Sequence, residues 1–150
     1  MTAADAKYVC EHMQTVERLE REALFGRMYD PSWFVPEVEK LAARGKAYTC
    51  LTKAGTPAVI GGISVVENVG IPWMCGTDEI ADVVIELTRS CRKALKALQE
   101  CGSITQVQVR SVCFHTVAHR WYGLLGLKKV EKPAGLTDLQ FFVFERKFEA

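Results

Sequence analysis

Residues 77–102, "TDEIADVVIELTRSCRKALKALQECG", limit the fold more than any other stretch of the chain. Ile80, Val83, Val84, Leu87, Cys91, Leu95 and Leu98 recur at three- and four-residue steps, which predicts one long helix with a single buried face. Thr77 or Asp78 can cap its start, and Gly102 can end it. Arg89, Arg92, Lys93 and Lys96 gather toward its C-terminal half, where they complement the helix dipole and read as a solvated face rather than a site for an acidic partner. Such a helix cannot bury its stripe alone, so a second layer must lie against it.

The flanking sequence supplies that layer. Upstream, "KAYTCLTK", "TPAVIGGISVVE" and "IPWMCG" carry strand formers separated by turns at "AG" and "NVG". They predict hairpin-linked strands near 46–53, 56–66 and 71–75. Gly61 and Gly62 inside the second strand predict a bulge or a close backbone approach. Downstream, "ITQVQVRSV" alternates and predicts a strand near 104–110, "HTVAHRWYGLLG" a short helix, "LKKVE" a strand, "KPAGLTD" a turn and "LQFFVFERKF" a closing strand. The first 28 residues read as helix, with Thr2 or Asp5 as cap. Ala6, Val9, Cys10 and Met13 lie along one side of it, continued by Val16, Leu19, Ala23 and Leu24. Pro36 suits the first turn of a further helix over about 36–44, with Gly45 as terminator. This order predicts one mixed α/β (α+β) domain spanning residues 1–150.

Composition narrows the function classes. A net charge of +1 gives no reason to expect nucleic acid or an anionic membrane as partner. No apolar run approaches the ~18 residues of a membrane span, and "MTAADAKYVC" lacks the apolar region of a signal peptide. The six cysteines form no C-x-x-C pair and no zinc spacing, so we expect free thiols in a cytoplasm-like compartment and no metal.

The element order resembles the GCN5-related N-acetyltransferase (GNAT) fold, in which a long helix follows the third hairpin strand. GNAT proteins commonly carry a stretch like N-x-x-A-x-x-x-Y-x-x-x-G-F in the region after it. Here His115, Ala118, Tyr122, Gly126 and Leu127 stand at those positions, with the Asn replaced by His and the Phe by Leu. "DAKYVCEHM", "GIPWMCGTDEI" and "AHRWYGLLGL" further resemble small GNAT-like proteins of tailed bacteriophages, among them acetyltransferases and internal virion proteins. The resemblance implies a mixed, mostly antiparallel sheet with a central V-shaped splay, flanked by helices. It implies acetyl-CoA as cofactor, an amine acceptor on a small molecule or a protein, and a place in the host cytoplasm or the virion.

Residue roles follow from the same resemblance. Tyr122 would protonate the leaving thiolate, a step open to a phenol of pKa ~10 held within hydrogen-bond reach. Trp73, Met74, Cys75, Gly76, Thr77 and His115 would bind the cofactor, although Trp73 and Trp121 also read as core anchors and His115 as a turn residue. Glu67, in the turn before "IPWMCG", is the nearest candidate for the base, with a solvated turn carboxylate as its plainer reading.

The start of the long helix departs from the GNAT phosphate signature, Q/R-x-x-G-x-G/A. "MCGTDEIAD" has one glycine, no arginine or glutamine, and the acids Asp78 and Glu79. At 5–6 Å and an effective dielectric near 20, each such carboxylate would oppose a pyrophosphate by about 3 kcal/mol. Two readings stand: an acyl-CoA-dependent N-acetyltransferase, and a catalytically degenerate GNAT-fold phage protein that serves in the virion or binds a host protein.

Overall fold

The computed structural model describes residues 1–131 and 141–148. Three helices open the chain: α1 (Ala3–Glu11), α2 (Thr15–Phe25) and α3 (Pro31–Ala43). Strands β1 (Ala47–Leu51), β2 (Pro57–Val66) and β3 (Val69–Gly76) follow, then α4 (Ile80–Cys101). The rest is β4 (Gln106–Val112), α5 (Thr116–Leu124), β5 (Lys128–Lys129) and β6 (Phe141–Lys147). The turn expected at "KPAGLTD" and the first two residues of the expected closing strand lie outside the described residues.

The six strands form one sheet in the order β1-β2-β3-β4-β6-β5. Every pairing is antiparallel except that of β3 with β4, which is parallel and confined to Val69↔Gln106 and Gly70↔Val107. Beyond Gly70 the two strands run on without pairing, so the sheet opens into the expected V. Pro72 explains where the ladder stops. Met74 and Gly76 turn their backbone groups away from β2 and toward the gap. Alternation puts Pro72 on the same edge, where it has no N–H to give to β4.

Helices cover both faces. On one, α1 and α3 pack Ala6, Val9, Cys10, Met13, Phe34 and Val38 against Ile60 and Cys75 of the sheet. On the other, Val83 of α4 meets Ala58 and Val59, with Ile80 and Leu87 beside them. Farther along α4, Leu95 joins Val107, Leu125, Leu127 and Phe144, with Cys91 and Leu98 at the margin. One helix stripe thus ties together the two wings of the opened sheet. The stripe is shallower than expected: Val83 and Leu95 are buried, Ile80, Leu87, Cys91 and Leu98 are half-buried, and Val84 is 39% exposed.

Helix boundaries report further differences. Thr2 and Asp5 act together as a capping box, so both candidate caps of α1 are used. α3 starts earlier than expected: Asp30 caps it, Pro31 takes the first turn, and Pro36 lies inside the helix. No side chain caps α4; Thr77 Oγ1 accepts only the Glu79 N–H, at 3.2 Å. Gly102 ends α4 with φ 72°, as its position predicted. At Gly61 and Gly62 the reason is close approach and not a bulge. A Cβ there would sit 2.9 Å from the Trp73 carbonyl oxygen and 2.6 Å from that of Lys46, while the β2–β3 register is unbroken.

α2 overturns its expected orientation. Leu19, read as part of an inward apolar side, is 47% exposed, and Leu24 is exposed with it. The side chains α2 buries are Glu17 (5%), Glu20 (6%) and Arg21 (9%). Its polar face is the inner one, because of what it meets there.

Candidate active site

The edges of β3 and β4 that face the gap carry backbone N–H and C=O groups with no strand opposite. Buried groups of this kind must find partners elsewhere. On β3, the Gly76 N–H donates to Glu17 Oε2 (2.8 Å), and the Gly76 carbonyl accepts from the Gln14 N–H (2.9 Å). The Met74 carbonyl accepts from Arg21 Nη2 at 2.6 Å. On β4, the Val112 N–H donates to Glu20 Oε2 at 3.0 Å, and the Ser111 hydroxyl donates to the same oxygen at 3.2 Å. Arg21 Nη1 meets Glu20 Oε1 at 2.6 Å, closing the bridge from one strand to the other. Three side chains one turn apart on α2 therefore take up the backbone groups of both edges.

Charge is concentrated in this gap. Burial pushes the Glu17 carboxyl above the ordinary carboxylate range, against the pull of Arg21 and the Gly76 N–H. Burial acts the same way on Glu20, but His115, Arg21 and the Val112 N–H outweigh it and hold that carboxyl below its ordinary value. Burial also raises the Cys75 thiol to about 11, so it stays protonated beside Arg21.

α5 brings the aromatic members of the site. Tyr122 packs on Phe144 of β6, with ring centroids 5.3 Å apart and its phenol beside Ser111. Burial, and secondly the charge of Glu20, raise that phenol to about 12. His119 Nε2 lies 3.1 Å from Ser111 Oγ and 3.0 Å from the Val112 carbonyl oxygen, so the Nε2–H tautomer can donate to both. Burial pulls this imidazole below its ordinary pKa, which favours the neutral form. Tyr122, His119 and Glu20 converge on one hydroxyl, that of Ser111. His115, the N-cap residue of α5, is 9% exposed with Nδ1 3.6 Å from Glu20 Oε2, too far for a hydrogen bond. Among the described residues that nitrogen has no partner.

The fold brings some of the sequence-selected residues together and separates others. Tyr122, His115, Met74, Cys75 and Gly76 gather around the open end of the V. Met74 and Gly76 present backbone to it, while the Cys75 and Trp73 side chains pack with α1 and α3. Thr77 is buried, with its N–H donating to the Ala58 carbonyl oxygen at 2.9 Å. Glu67 lies in the β2–β3 turn with φ 56°, beside the paired end of the V. From there to Ser111 is roughly 16 Å along β4 at the usual strand rise. Gly126 lies beyond α5, at φ 81°. The Leu127 N–H reaches the Tyr122 carbonyl and the Gly126 N–H that of Gly123, so this glycine closes a Schellman motif.

The start of α4 does not offer the amides a pyrophosphate would need. Those of Gly76 and Thr77 are already bonded to Glu17 and Ala58. Asp78 is exposed beside them, and Glu79 Oε2 is buried with no partner among the described residues. Tyr122 lies on the far side of Ser111 and Glu20, beside the strand edges that α2 occupies.

Glu17, Glu20 and Arg21 were not recoverable by reading periodicity. Their i, i+3, i+4 spacing was visible, but it lay opposite Val16, Leu19 and Ala23 and pointed to solvent.

Comparison with known proteins places the fold. No family model matches the chain, and no curated protein matches it in sequence. Solved structures do match over nearly the whole chain. A GNAT-family acetyltransferase from Bacillus anthracis superposes with a TM-score of 0.71 at 9% identity, covering 100% of this chain and 93% of that one. One from Staphylococcus aureus Mu50 gives 0.70 at 12% identity over 99% and 96%. A phosphinothricin acetyltransferase of the GNAT superfamily from Sinorhizobium meliloti, solved with acetyl-CoA, gives 0.62 at 14% identity over 99% and 85%. The chain has the GNAT fold: a six-stranded, mostly antiparallel open sheet with five helices.

Proposed function

We propose that the chain is an acyltransferase that moves an acyl group from an acyl-CoA, with acetyl-CoA as the preferred donor, to an amine on a small molecule or a protein. The observation that carries this reading is the phenol of Tyr122, beside Ser111 at the splay of β3 and β4. The GNAT fold supports the same chemistry by likeness. The thioester supplies an activated carbonyl. Tyr122 keeps its proton at neutral pH, because burial raises the phenol to about 12. The carboxylates that face the same space are Glu17 and Glu20; Glu67 is at the other end of the strand pair.

The reading is tested by titrating acetyl-CoA into the protein at low ionic strength and by following acyl transfer to an amine. Tyr122→Phe should lower turnover by about 10²–10⁴-fold with acetyl-CoA affinity unchanged, since only the proton donor is lost. Absence of both binding and transfer in the wild type and in every folded variant rejects it.

A second reading is supported by the bonding of Gly76 and Met74 to α2 and by the acids at the start of α4. In it the chain is a non-catalytic GNAT-fold protein of a tailed phage, acting in the virion or on a host protein in the host cytoplasm. A protein that stays fully folded yet leaves acetyl-CoA unbound in every variant would favour it.

A further inference from the structure

α2 meets the sheet in an unusual way. The apolar side chains Leu19, Leu24 and Phe25 are exposed, and the residues it buries are two acids and an arginine. The neighbouring helices are held differently: α1 buries Ala6, Val9 and Cys10, and α3 buries Phe34 and Val38. The apolar contact of α2 with α3 lies at its C-terminal end, where the Phe25 ring meets those of Trp33 and Phe34. Its seat consists of hydrogen bonds to Gly76 N–H, Met74 C=O and Val112 N–H, together with the Arg21–Glu20 pair. Each of these hydrogen bonds could be made instead by water or by another polar chain, although Arg21 also lies over the Phe34 ring. Met13 and Gln14 form a short link to Thr77 and Gly76, and Gly26 closes the other end at φ 66°. The His115 Nδ1, buried and unpartnered 3.6 Å from Glu20, shows that the network is not fully satisfied in this arrangement.

We infer that the Glu17–Glu20–Arg21 face of α2 is an internal occupant of the β3–β4 splay, and that acyl-CoA enters only when these three side chains leave it. The inference rests on the acyl-CoA reading above. It makes the structure a closed state. The affinity for acyl-CoA is then reduced by the fraction of molecules in which α2 has let go. It also assigns a physical role to the inverted amphipathicity of α2, whose side chains stand in for the amide groups of an extended ligand.

The test compares wild type with the double variant Glu17→Ala, Arg21→Ala, using acetyl-CoA as the probe in calorimetric titration. Hydrogen exchange of the wild type is followed with and without acetyl-CoA. The variant should bind at least about tenfold more tightly, because the closed state is weakened. In the wild type, saturating acetyl-CoA should remove exchange protection from the Gln14 amide, whose acceptor is the Gly76 carbonyl of β3, while the Gly76 and Val112 amides stay protected. The exchange experiment needs no variant, so it decides the matter even if the double variant unfolds. If wild type binds acetyl-CoA with protection of the Gln14 amide unchanged or increased, the occupant role is wrong and the acyl-CoA reading survives. If neither wild type nor a folded variant binds acetyl-CoA, the acyl-CoA reading falls, and this inference with it.

Discussion

Glu17 and Glu20 sit one turn apart on the same helix face, share Arg21, and titrate in opposite directions. Glu17 has one backbone donor at hydrogen-bond distance, Glu20 has a backbone donor and a hydroxyl, and Arg21 touches Glu20 directly. A carboxyl lowered in the fold, such as Glu20, adds stability above its unfolded pKa of about 4.3 and loses that stability as pH falls through the folded value. A raised one, such as Glu17, contributes fully below about 4.3 and loses its contribution as pH rises through the folded value. Glu17→Gln keeps an oxygen for the Gly76 N–H and removes the buried charge. The variant should therefore gain on wild type as pH rises from about 4 to about 7, when both are unfolded in urea across that range. A constant difference between the two across pH would show that Glu17 is not raised.

At the scale of elements, α4 and α2 show where sequence reading succeeds and where it fails. The α4 stripe was legible because seven apolar residues over five turns leave one solution for the inner face; its depth was not, since only Val83 and Leu95 are fully buried and Val84 is exposed. Leu95→Ala should destabilise the protein by about 2–5 kcal/mol, and Val84→Ala should stay within about 0.5 kcal/mol of wild type, as exposed sites do. Denaturant unfolding that gives equal losses would mean that α4 is rotated from its described position. α2 was as amphipathic to the eye, yet its orientation was set by unpaired backbone on β3 and β4, which no pattern within residues 15–25 records. The strands were legible for the same reason as α4, with β3 and β4 identified close to their bounds. Tyr122 and His115 could be placed near the splay from the GNAT-like spacing. The partner that completes the site, Glu20, lies 91 residues from Ser111 along the chain, and only the folded topology joins them.

At the scale of the whole molecule, the sheet consists of two wings that share little backbone bonding. One wing, β1-β2-β3, carries the core beneath α1 and α3, and the other, β4-β6-β5, carries the core beneath α5 and the end of α4. Two residue pairs join them at β3 and β4, and the polar bridge of α2 and the stripe of α4 complete the connection. Gly70 is at the centre of that seam. A Cβ there would already lie 2.9 Å from Ile63 Cδ1 and 3.5 Å from Val107 Cγ2, so Gly70→Val should wedge the wings apart and cost about 1–3 kcal/mol. Tryptophan reports on each wing separately. Trp73 packs on the first core and Trp121 on the second, where its indole N–H also donates to Thr88 Oγ1 at 2.9 Å. Proteins reduced to Trp73 alone or Trp121 alone by Phe replacement of the other tryptophans should unfold in urea with one shared midpoint, because the intact seam couples the wings. Adding Gly70→Val should split the two midpoints, with the wing that keeps more of its own core unfolding later. If both reporters shift down together, the wings have no separate stability, and the closed α2 bridge or the α4 stripe is enough to hold them as one cooperative unit.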